Sequence, residues 1–326
     1  MFTRAVVQGI GHSLPRKVLT NVDLEQTLDT SDEWITQRTG IRERRVSSED
    51  ETTFSLSVTA AREALACAEV DAGEIELVVL ATISGDYVWP ATACLVQDAI
   101  GARHAGAFDV SAACAGFIYA LSNASSMIET GQIKTALVIG ADTLTKQLDW
   151  TDRSTAILFG DAASAVVLKG QNDTDRGVIK TVLFSDGSGA KHIILEGGGT
   201  RVPFGQGEER DFKLRMAGKE TYRFAVQAMG DACHKVLDKA GLTVEDVDLF
   251  VPHQANLRII DSAAKRLGLP EEKVFVNVHK YGNTSAASVP LGLYEAVKEG
   301  RLQPGMIVMT VGFGAGLVWG ANLIRW

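Results

Sequence analysis

An internal repeat is the feature of this chain that most constrains its fold, because a duplicated unit determines the architecture before any local pattern does. The segment ETGQIKTALVIGAD resembles KEGRLQPGMIVMTVG, and Gly131 of the first matches Gly300 of the second. Further upstream, EIELVVLA resembles DVDLFVPH in a slightly different register, as a short insertion between the two matches would cause. We therefore expect two related halves, residues 1–172 and 173–326, joined through the polar segment GQNDTDRG.

The repeat also aligns residues that carry chemistry. The register of the glycine match places Cys114 opposite Asn283, and the upstream register, that of EIELVVLA with DVDLFVPH, places Ala81 opposite His253. A unit that keeps its hydrophobic pattern while exchanging Cys for Asn and Ala for His suggests one site shared between the halves. If pseudo-symmetry relates the halves, these positions should converge near its axis.

Composition and charge exclude several classes of protein. The 326 residues are 46% hydrophobic and carry a net charge of −8, so a general affinity for nucleic acid or for an anionic membrane is not expected. Four widely spaced cysteines without a C-x-x-C pair argue against a disulfide framework or a zinc site and favour a reducing cytoplasm. The N-terminus lacks the pattern of a signal peptide. Glycines interrupt the uncharged stretch 306–324, which favours two buried strands over a membrane helix.

Strand-like and helix-like segments alternate along the chain, which predicts an α/β fold with helices packed on sheets. The segment 185–215, rich in glycine and charge, is expected to run as a long excursion over the surface. The predicted strands are 4–10, 76–82, 106–110, 135–140, 163–168, 177–184, 247–252, 274–277, 306–311 and 317–324. The predicted helices are 53–68, 90–100, 114–129, 220–240, 256–267 and 285–299.

Cys114 is the first candidate for catalysis. It lies in FDVSAACAGFIYAL, where a strand runs through small residues into a helix, so it is expected at or near a helix N-terminus. The helix dipole and the free N–H groups at such a position favour the thiolate, which is the nucleophilic form. Free cysteines are also among the most buried residues, so the local sequence leaves a packing role open.

His253 and Asn283 are the other two candidates. His253 follows VDLFVP at the carboxyl end of a predicted strand, where open α/β sheets bind their ligands. Asn283 lies in KYGNTSAAS, again before a predicted helix. Taken singly, the histidine suits a structural role equally well, and the asparagine suits a turn or a helix cap. Their alignment with the cysteine in the repeat is what favours a shared site.

Two further motifs fit a ligand site. The GFGAG motif at 312–316 is followed by too few residues for a nucleotide-binding unit, so we interpret it as a turn whose backbone N–H groups stabilise an oxyanion. The helix after His253 carries Arg258, Lys265 and Arg266 beside its apolar stripe. This basic face is either simply solvated or, on an acidic protein, suited to an acidic partner.

Six segments of the chain together resemble motifs of the 3-oxoacyl-[acyl-carrier-protein] synthase III family, the condensing enzymes that initiate bacterial fatty acid synthesis. They are TSDEWITQRTGIRERR, SAACAGFIYAL, FGDAASAVVL, PHQAN, YGNTSAAS and GFGAGLVWG, and the resemblance covers essentially the whole chain. It implies a thiolase-like α/β fold, in which two duplicated halves form a five-layered αβαβα arrangement, and a cytoplasmic homodimer.

The resemblance also implies roles for individual residues. Cys114 corresponds to the acylated nucleophile, with His253 and Asn283 as its catalytic partners. The backbone N–H groups of Cys114 and Ala315 correspond to the oxyanion hole. Contacts to coenzyme A are implied for Thr30, Trp34, Arg38, Arg153, Gly218, Asn256 and Phe313. Docking of acyl carrier protein is implied for Arg223, Arg258, Lys265 and Arg266. A position in the acyl pocket is implied for Trp89.

Two positions need separate comment. Relatives often read GFGGG where this chain has Ala315, and since only the backbone N–H acts there, the oxyanion role is expected to survive. Trp89 matches an aromatic position that reaches the acyl pocket of the neighbouring subunit, and its bulk suggests a short primer.

The implied reaction is a decarboxylative Claisen condensation without a metal or redox cofactor. A short acyl-CoA, most simply acetyl-CoA, acylates Cys114, and malonyl-[acyl-carrier-protein] then loses carbon dioxide and attacks the acyl group, giving 3-oxoacyl-[acyl-carrier-protein]. The nearest alternative is a related condensing enzyme of secondary metabolism that uses a branched, long or aromatic primer. A cysteine hydrolase and a non-catalytic acyl-binding relative are further alternatives. A non-decarboxylating thiolase is less expected, because GFGAG contains no second cysteine.

Overall fold

Two β-sheets, one from each half of the chain, form the frame of the structure, a computed structural model that describes residues 3–326. The strands are β1 (Thr3–Ser13), β2 (Lys17–Thr20), β3 (Glu43–Val46), β4 (Leu77–Ala81), β5 (Gly106–Val110), β6 (Thr135–Asp142), β7 (Ala162–Asn172), β8 (Gly177–Ser185), β9 (Ile193–Ile194), β10 (Arg215–Met216), β11 (Leu249–Pro252), β12 (Ile307–Gly314) and β13 (Val318–Arg325). The helices are α1 (Asn21–Glu25), α2 (Asp32–Thr39), α3 (Thr53–Ala68), α4 (Thr92–Ile100), α5 (Gly116–Glu129), α6 (Arg153–Ala156), α7 (Gly218–Ala240), α8 (Leu257–Leu267), α9 (Val278–Tyr281) and α10 (Ser288–Lys298).

The four strands of the second sheet repeat the topology of the first four strands of the five-stranded sheet. The strand order is β1-β7-β6-β4-β5 in the first sheet and, read in the matching direction, β8-β13-β12-β11 in the second. In each, a parallel pair (β4 with β6, β11 with β12) is followed by an antiparallel pair (β6 with β7, β12 with β13). β4 begins at Leu77 and β11 begins at Leu249, two positions that the upstream register of the repeat pairs. The same register aligns Ala81 with His253, as the sequence predicts.

The helices form three layers around these sheets. α3 packs on the outer face of the first sheet, and α7 and α8 cover the outer face of the second. α5 and α10 lie between the sheets and contact both. The order is therefore αβαβα, the five-layered thiolase-like arrangement. β4 is buried along its whole length, because helices cover both faces of its sheet. Within residues 3–326, no helix is long and apolar enough to cross a membrane.

The expected match of Cys114 with Asn283 is wrong by three residues. Ala113 (φ 45°) and Ser285 (φ 50°) hold the same left-handed position in two short 3₁₀ turns, so the counterpart of Cys114 is Ala286, in the upstream register. α5 has 14 residues whereas α10 has 11. The glycine match at the ends of these helices is therefore shifted by three residues, and a longer connection after α10 restores the upstream register in β6 and β12.

The two 3₁₀ turns pack reciprocally on the opposite sheets. The turn before α5 lies against β12, and the turn before α10 lies against β6. Both contacts are made at a glycine. A Cβ on Gly140 of β6 would collide with the carbonyl of Ala286, and a Cβ on Gly312 of β12 would make a tight contact, 3.1 Å, with the carbonyl oxygen of Cys114. Cys114 is thus held where the two halves meet.

Most of the predicted strands and helices are present, with ends shifted by a few residues. The predicted strand 274–277 is wrong, because only Val274 pairs, through a single parallel bridge to Phe250. In the second sheet, this bridge occupies the place beside β11 that β5 occupies beside β4 in the first sheet. The strand does not continue because the side chain of Gln254 accepts the N–H groups of Asn277 and of the residue after it.

The sequence analysis missed the elements between residues 17 and 46, namely β2, α1, α2 and β3, and it missed α6. The segment 185–215, predicted as an excursion, contains 3₁₀ turns and only the two-residue strand β9, which pairs with β10 at the end of the segment. Between β7 and β8 the chain passes from the first sheet to the second, within the predicted junction.

Candidate active site

One cavity between the two halves collects the polar residues that the sequence predicts to act together. Cys114, His253 and Asn283 line it, and it holds about 880 Å³ of unfilled space, part of it open to solvent. Its wall is otherwise mainly apolar, with Ile83, Leu144, Leu158, Phe159, Ile193, Leu214, Met216 and Ile259 among the lining residues. The convergence expected from the repeat is therefore present.

Cys114 lies in the 3₁₀ turn that leads into α5, so its predicted position at a helix N-terminus is correct. Its sulfur is 3.3 Å from the hydroxyl oxygen of Ser285. Burial raises the pKa of the Cys114 thiol to about 12, the Ser285 hydroxyl counteracts this rise, and the nearby charge of Asp142 adds to it. Burial therefore opposes the thiolate that a position at a helix N-terminus is expected to favour.

His253 follows β11 and is almost completely buried. Its Nδ1 lies 2.5 Å from the hydroxyl oxygen of Ser288, which also accepts the backbone N–H of Gln254. Its Nε2 has no hydrogen-bond partner among the described residues. The ring of Phe313 meets the imidazole edge to face at 5.2 Å. Burial lowers the pKa of His253 to about 3, so the imidazole is neutral near pH 7.

Asn283 is held by its backbone and its side-chain oxygen, which leaves its amide nitrogen available. Its N–H donates to the carbonyl of Leu158, and its carbonyl accepts the N–H of Gly160. Its Oδ1 accepts the backbone N–H of Ser285 at 2.9 Å. Because Oδ1 is already engaged, the side chain presents Nδ2, a donor, as its remaining polar group.

The glycine turn connects β12 to β13 and borders the cavity. Gly314 and Ala315 line it together with Cys114. An added Cβ on Gly314 would lie 2.6 Å from the backbone nitrogen of Cys114. Only glycine leaves this space open next to the Cys114 N–H, which is where an oxyanion would need a donor.

Asp142 and Ser285 are residues of the site that the sequence analysis did not single out. Asp142 ends β6 and is fully buried, and it accepts the backbone N–H of Ala286 in the turn that carries Ser285. A signal existed for the carboxylate: a polar residue ends an otherwise apolar strand at the edge where ligands bind. For the serine, the left-handed φ cannot be read from the sequence.

The residues predicted to contact coenzyme A form two groups. Gly218, Asn256 and Phe313 line the cavity itself. Trp34 of α2 lies outside it between two guanidinium groups, those of Arg38 at 4.8 Å and Arg153 at 5.1 Å from the ring centroid. The two groups are linked, because the Asn256 side-chain amide donates to the carbonyl of Arg38. Thr30 precedes α2, and its buried hydroxyl has no partner among the described residues.

The predicted basic face is exposed on α7 and α8. Arg258 lies over the ring of Tyr222 at 5.9 Å, and Lys265 is exposed on the same helix. Arg266 makes an ion pair with Asp231 at 2.5 Å, which weakens its field toward a partner. Arg223 is exposed on α7, next to Tyr222.

Trp89 does not line the cavity of its own chain. Its side chain is 83% exposed and follows Tyr87 and Val88, which are 63% and 70% exposed. The predicted contribution of Trp89 to the acyl pocket of a neighbouring subunit remains a prediction.

The chain is similar to known proteins over almost its whole length. Family models described as 3-oxoacyl-[acyl-carrier-protein (ACP)] synthase III and as the C terminal of that enzyme match residues 108–187 and 237–326. The beta-ketoacyl-[acyl-carrier-protein] synthase III 1 of Bacillus anthracis is 48% identical over 98% of both chains. The synthase III of Symbiobacterium thermophilum is 51% identical over 98% of this chain and 97% of its own. The crystal structure of 3-oxoacyl-[acyl-carrier-protein] synthase III from Aquifex aeolicus VF5 matches with a TM-score of 0.92 and 46% identity, covering 99% of this chain and 100% of that one.

Proposed function

Since the chain belongs to the 3-oxoacyl-[acyl-carrier-protein] synthase III family, we propose that the cavity is its active site and that Cys114, His253 and Asn283 carry the reaction. The chain is an acyltransferase that condenses an acyl-CoA with malonyl-[acyl-carrier-protein] and so initiates fatty acid synthesis. One observation supports the residue assignment above all others. A thiol, an unpartnered imidazole nitrogen and a side-chain amide meet in one cavity built by both halves.

In the first step, the sulfur of Cys114 attacks the thioester carbon of the acyl-CoA. The carbonyl oxygen gains negative charge, and the backbone N–H groups of Cys114 and Ala315 stabilise it. One such donor typically lowers the barrier by about 2.7–4 kcal/mol. The bond to the coenzyme A sulfur then breaks, coenzyme A leaves as the thiol with the proton that Cys114 has lost, and the acyl group remains on Cys114.

In the second step, malonyl-[acyl-carrier-protein] loses carbon dioxide, and the thioester carbonyl becomes an enolate. Its oxygen needs uncharged donors, which the Nδ2 of Asn283 and the Nε2 of His253 supply. We assign the imidazole hydrogen to Nε2, because the Ser288 hydroxyl accepts the N–H of Gln254 and donates its own hydrogen to Nδ1. The enolate carbon attacks the acyl carbon, and Cys114 departs as the thiolate and regains a proton.

The contacts of Trp34 support a binding site for the adenine of coenzyme A. The Trp34 ring already has the planar guanidinium of Arg153 over it. An adenine that entered between Trp34 and Arg153 would replace this cation as the stacking partner of the tryptophan. Thr30 and Arg38 flank this position. Gly218, Asn256 and Phe313 would line the path of the pantetheine arm to Cys114.

We assign the carrier protein to the basic face formed by Arg223, Arg258, Lys265 and Arg266. Acyl carrier protein is the second substrate, and on a chain with a net charge of −8 an acidic partner needs such a local cationic patch. We also propose a homodimer, acetyl-CoA as the primer, and a reaction without a metal or redox cofactor. The names of the relatives do not favour the alternative of a branched, long or aromatic primer.

His253 and Asn283 are expected to matter more for decarboxylation than for acylation. His253→Ala or Asn283→Ala should slow release of carbon dioxide from malonyl-[acyl-carrier-protein] by ~10²–10³-fold, because each removes one enolate donor. Acylation of Cys114 by acyl-CoA should fall less. Each partial reaction is measured separately, and an equal loss in both would contradict this division of roles.

The proposed function is tested by the intact mass of the protein after brief incubation with acetyl-CoA. We expect one acetyl adduct, its absence from Cys114→Ala, and its discharge by malonyl-[acyl-carrier-protein] with formation of acetoacetyl-[acyl-carrier-protein]. An adduct only with a branched, long or aromatic acyl-CoA would reassign the primer. No adduct with any acyl-CoA would refute Cys114 as the nucleophile.

A further inference from the structure

A threonine hydroxyl in the wall of the cavity has no hydrogen-bond partner. Thr221, near the start of α7, lines the cavity and is only 6% exposed. Its Oγ1 is buried and unpaired within residues 3–326. Folded proteins rarely leave a buried hydroxyl unpaired, because it has given up its hydrogen bonds to water. We therefore expect this hydroxyl to have a partner that the chain itself does not supply.

Other threonines in the helices do have such a partner. A helix threonine commonly donates to the backbone carbonyl four residues earlier. Thr39 of α2 and Thr59 of α3 make this bond, at 2.7 and 3.1 Å. The backbone N–H of Thr221 donates to the carbonyl of Ala217, but its hydroxyl does not. The Thr221 hydroxyl thus remains available to a group in the cavity.

The neighbouring polar side chains of the cavity wall are already engaged. The Ser154 hydroxyl donates to a carboxylate oxygen at 2.9 Å, and the Tyr222 hydroxyl lies 3.2 Å from that of Ser262. Both ends of the Asn256 amide are bonded to backbone groups. Outside the three proposed catalytic residues, Thr221 is therefore the polar side chain of this wall that lacks a partner in the described part of the chain.

The position of Thr221 matches the proposed path of the pantetheine arm. Gly218, three residues earlier on α7, and Asn256, at the start of α8, line the same cavity. Much of the remaining wall is apolar, including Met216 and Ile259. A pantetheine arm carries two amide groups, and each loses its hydrogen bonds to water when it enters such a site. An uncommitted hydroxyl on the path can replace one of these bonds.

We propose that the Thr221 hydroxyl forms a hydrogen bond with an amide of the pantetheine arm and so helps to place the thioester at Cys114. A threonine in a helix has two χ1 rotamers, so its hydroxyl can turn toward the arm without a change in the backbone. A hydroxyl both donates and accepts, so it suits either the N–H or the carbonyl of the amide. This inference rests on the proposed path of the arm through the cavity.

The test compares Thr221→Val with wild type in two measurements that need no catalysis. Valine has nearly the shape of threonine but lacks the hydroxyl. In isothermal titration calorimetry, coenzyme A should bind the variant about fivefold more weakly, as expected for the loss of one neutral hydrogen bond. The melting temperature of the unliganded variant should rise by about 2 °C, because an unpaired buried hydroxyl is removed.

Two variants and one further ligand serve as controls. Thr310→Val is the matched control, because Thr310 is fully buried in β12, donates to Asn322 at 3.3 Å and does not line the cavity. It should lower the melting temperature and leave the affinity for coenzyme A unchanged. Thr221→Ser keeps the hydroxyl and should bind coenzyme A within about twofold of wild type. Adenosine 3′,5′-bisphosphate, which lacks the arm, should bind wild type and Thr221→Val equally.

Weaker binding of coenzyme A at an unchanged or raised melting temperature would support the proposal. Equal affinity of wild type and Thr221→Val would overturn it, as would a loss that Thr221→Ser or adenosine 3′,5′-bisphosphate shares. A lower melting temperature of Thr221→Val, or a variant that does not fold, would assign the hydroxyl a structural role instead and also overturn it. A wild type that binds no coenzyme A would refute the proposed coenzyme A site together with this inference. The acetyl adduct on Cys114 tests the nucleophile separately.

Discussion

Burial favours the uncharged form of both titratable side chains among the three proposed catalytic residues. It raises the pKa of Cys114 to about 12 and lowers the pKa of His253 to about 3, so the thiol and the neutral imidazole are favoured near pH 7. A Cys-His-Asn hydrolase instead relies on a thiolate stabilised by a protonated histidine. The site therefore suits an imidazole that donates a hydrogen bond from Nε2 rather than one that forms an ion pair with the thiolate.

His253 should make the folded chain sensitive to acid. The unfolded chain binds a proton near pH 6.5, whereas the folded chain binds it only near pH 3. Between these values the unfolded state binds more protons, so His253 lowers the free energy of unfolding as the pH falls, by at most ~1.4 kcal/mol per pH unit. Urea unfolding at several pH values should show a shallower decline for His253→Gln than for wild type. Parallel curves, or the same flattening in the exposed control His234→Gln, would contradict this.

Gly314 should be needed for acylation of Cys114. Its replacement by alanine would force a Cβ against the backbone nitrogen of Cys114 and displace an oxyanion donor. We expect acylation by acetyl-CoA to slow by ~10²–10³-fold. Gly187→Ala is the control, because a Cβ there meets nothing within 4 Å and its backbone needs no positive φ. Rapid-quench mass measurement gives the rates, and normal acylation of Gly314→Ala would exclude the proposed oxyanion position.

At the scale of elements, the buried Arg44 in β3 joins the two helices that carry proposed coenzyme A contacts, α2 and α6. Its guanidinium donates to the Asn21 side chain at 2.9 Å and to the carbonyl of Ile157, just after α6, at 2.8 Å. Asn21 in turn donates to Asp32 at the start of α2. Burial lowers the pKa of Arg44 to about 10, so it remains a cation surrounded by oxygen acceptors. Helix α2 holds Trp34, and helix α6 holds Arg153, whose guanidinium lies over the Trp34 ring. The Arg44 side chain thus orients both helices.

Arg44→Met should weaken binding of acyl-CoA more than it slows catalysis. Two buried oxygens lose their donor, and α2 and α6 lose their common anchor. We expect the KM for acyl-CoA to rise by about tenfold, with kcat within about threefold of wild type. Arg16→Met serves as the control, because Arg16 makes an exposed pair with Asp50. A fall in kcat at unchanged KM would argue against this role.

The elements that hold this arginine are also those that the sequence analysis missed, and the reason is physical. β2 and β3 have four residues each, and α2 has only two buried residues, so no hydrophobic period is long enough to be recognised. Capping signals were available: Thr20 caps α1 together with Asp23, and Ser31 caps α2. The long amphipathic helices and buried strands, whose periods are clear, were predicted correctly.

At the scale of the whole molecule, the duplication and the convergence of the three candidate catalytic residues could be predicted, but the exact pairing of the halves could not. The repeat brings Cys114, His253 and Asn283 into one cavity, as expected from their places at the ends of strands and the starts of helices. The glycine match lies at the ends of helices of different length, α5 and α10, which shifts it by three residues from the register of the strands on either side. The contacts of Asp142 and Ser285 depend on backbone geometry that only the folded chain defines.

The exposed apolar segment around Trp89 predicts the oligomeric state. Tyr87, Val88 and Trp89 are consecutive and largely exposed, which single soluble chains rarely tolerate in contiguous patches. Val88→Glu should convert a wild-type dimer into a monomer in sedimentation equilibrium. Val22→Glu, at an exposed valine far from this segment in sequence, should not. A wild-type monomer, or a dimer insensitive to Val88→Glu, would contradict the proposed homodimer interface.

The equivalence of the halves explains where the oxyanion position comes from. Asp142 and Gly314 end equivalent strands and match in the upstream register, and each lies beside the backbone nitrogen of an equivalent residue, Ala286 or Cys114. A gene duplication would have given the ancestral chain two copies of one anion-binding turn. In the first copy a carboxylate of the chain itself accepts the N–H permanently. In the second, glycine stands at the place of that carboxylate, which leaves the Cys114 N–H to the proposed thioester oxygen.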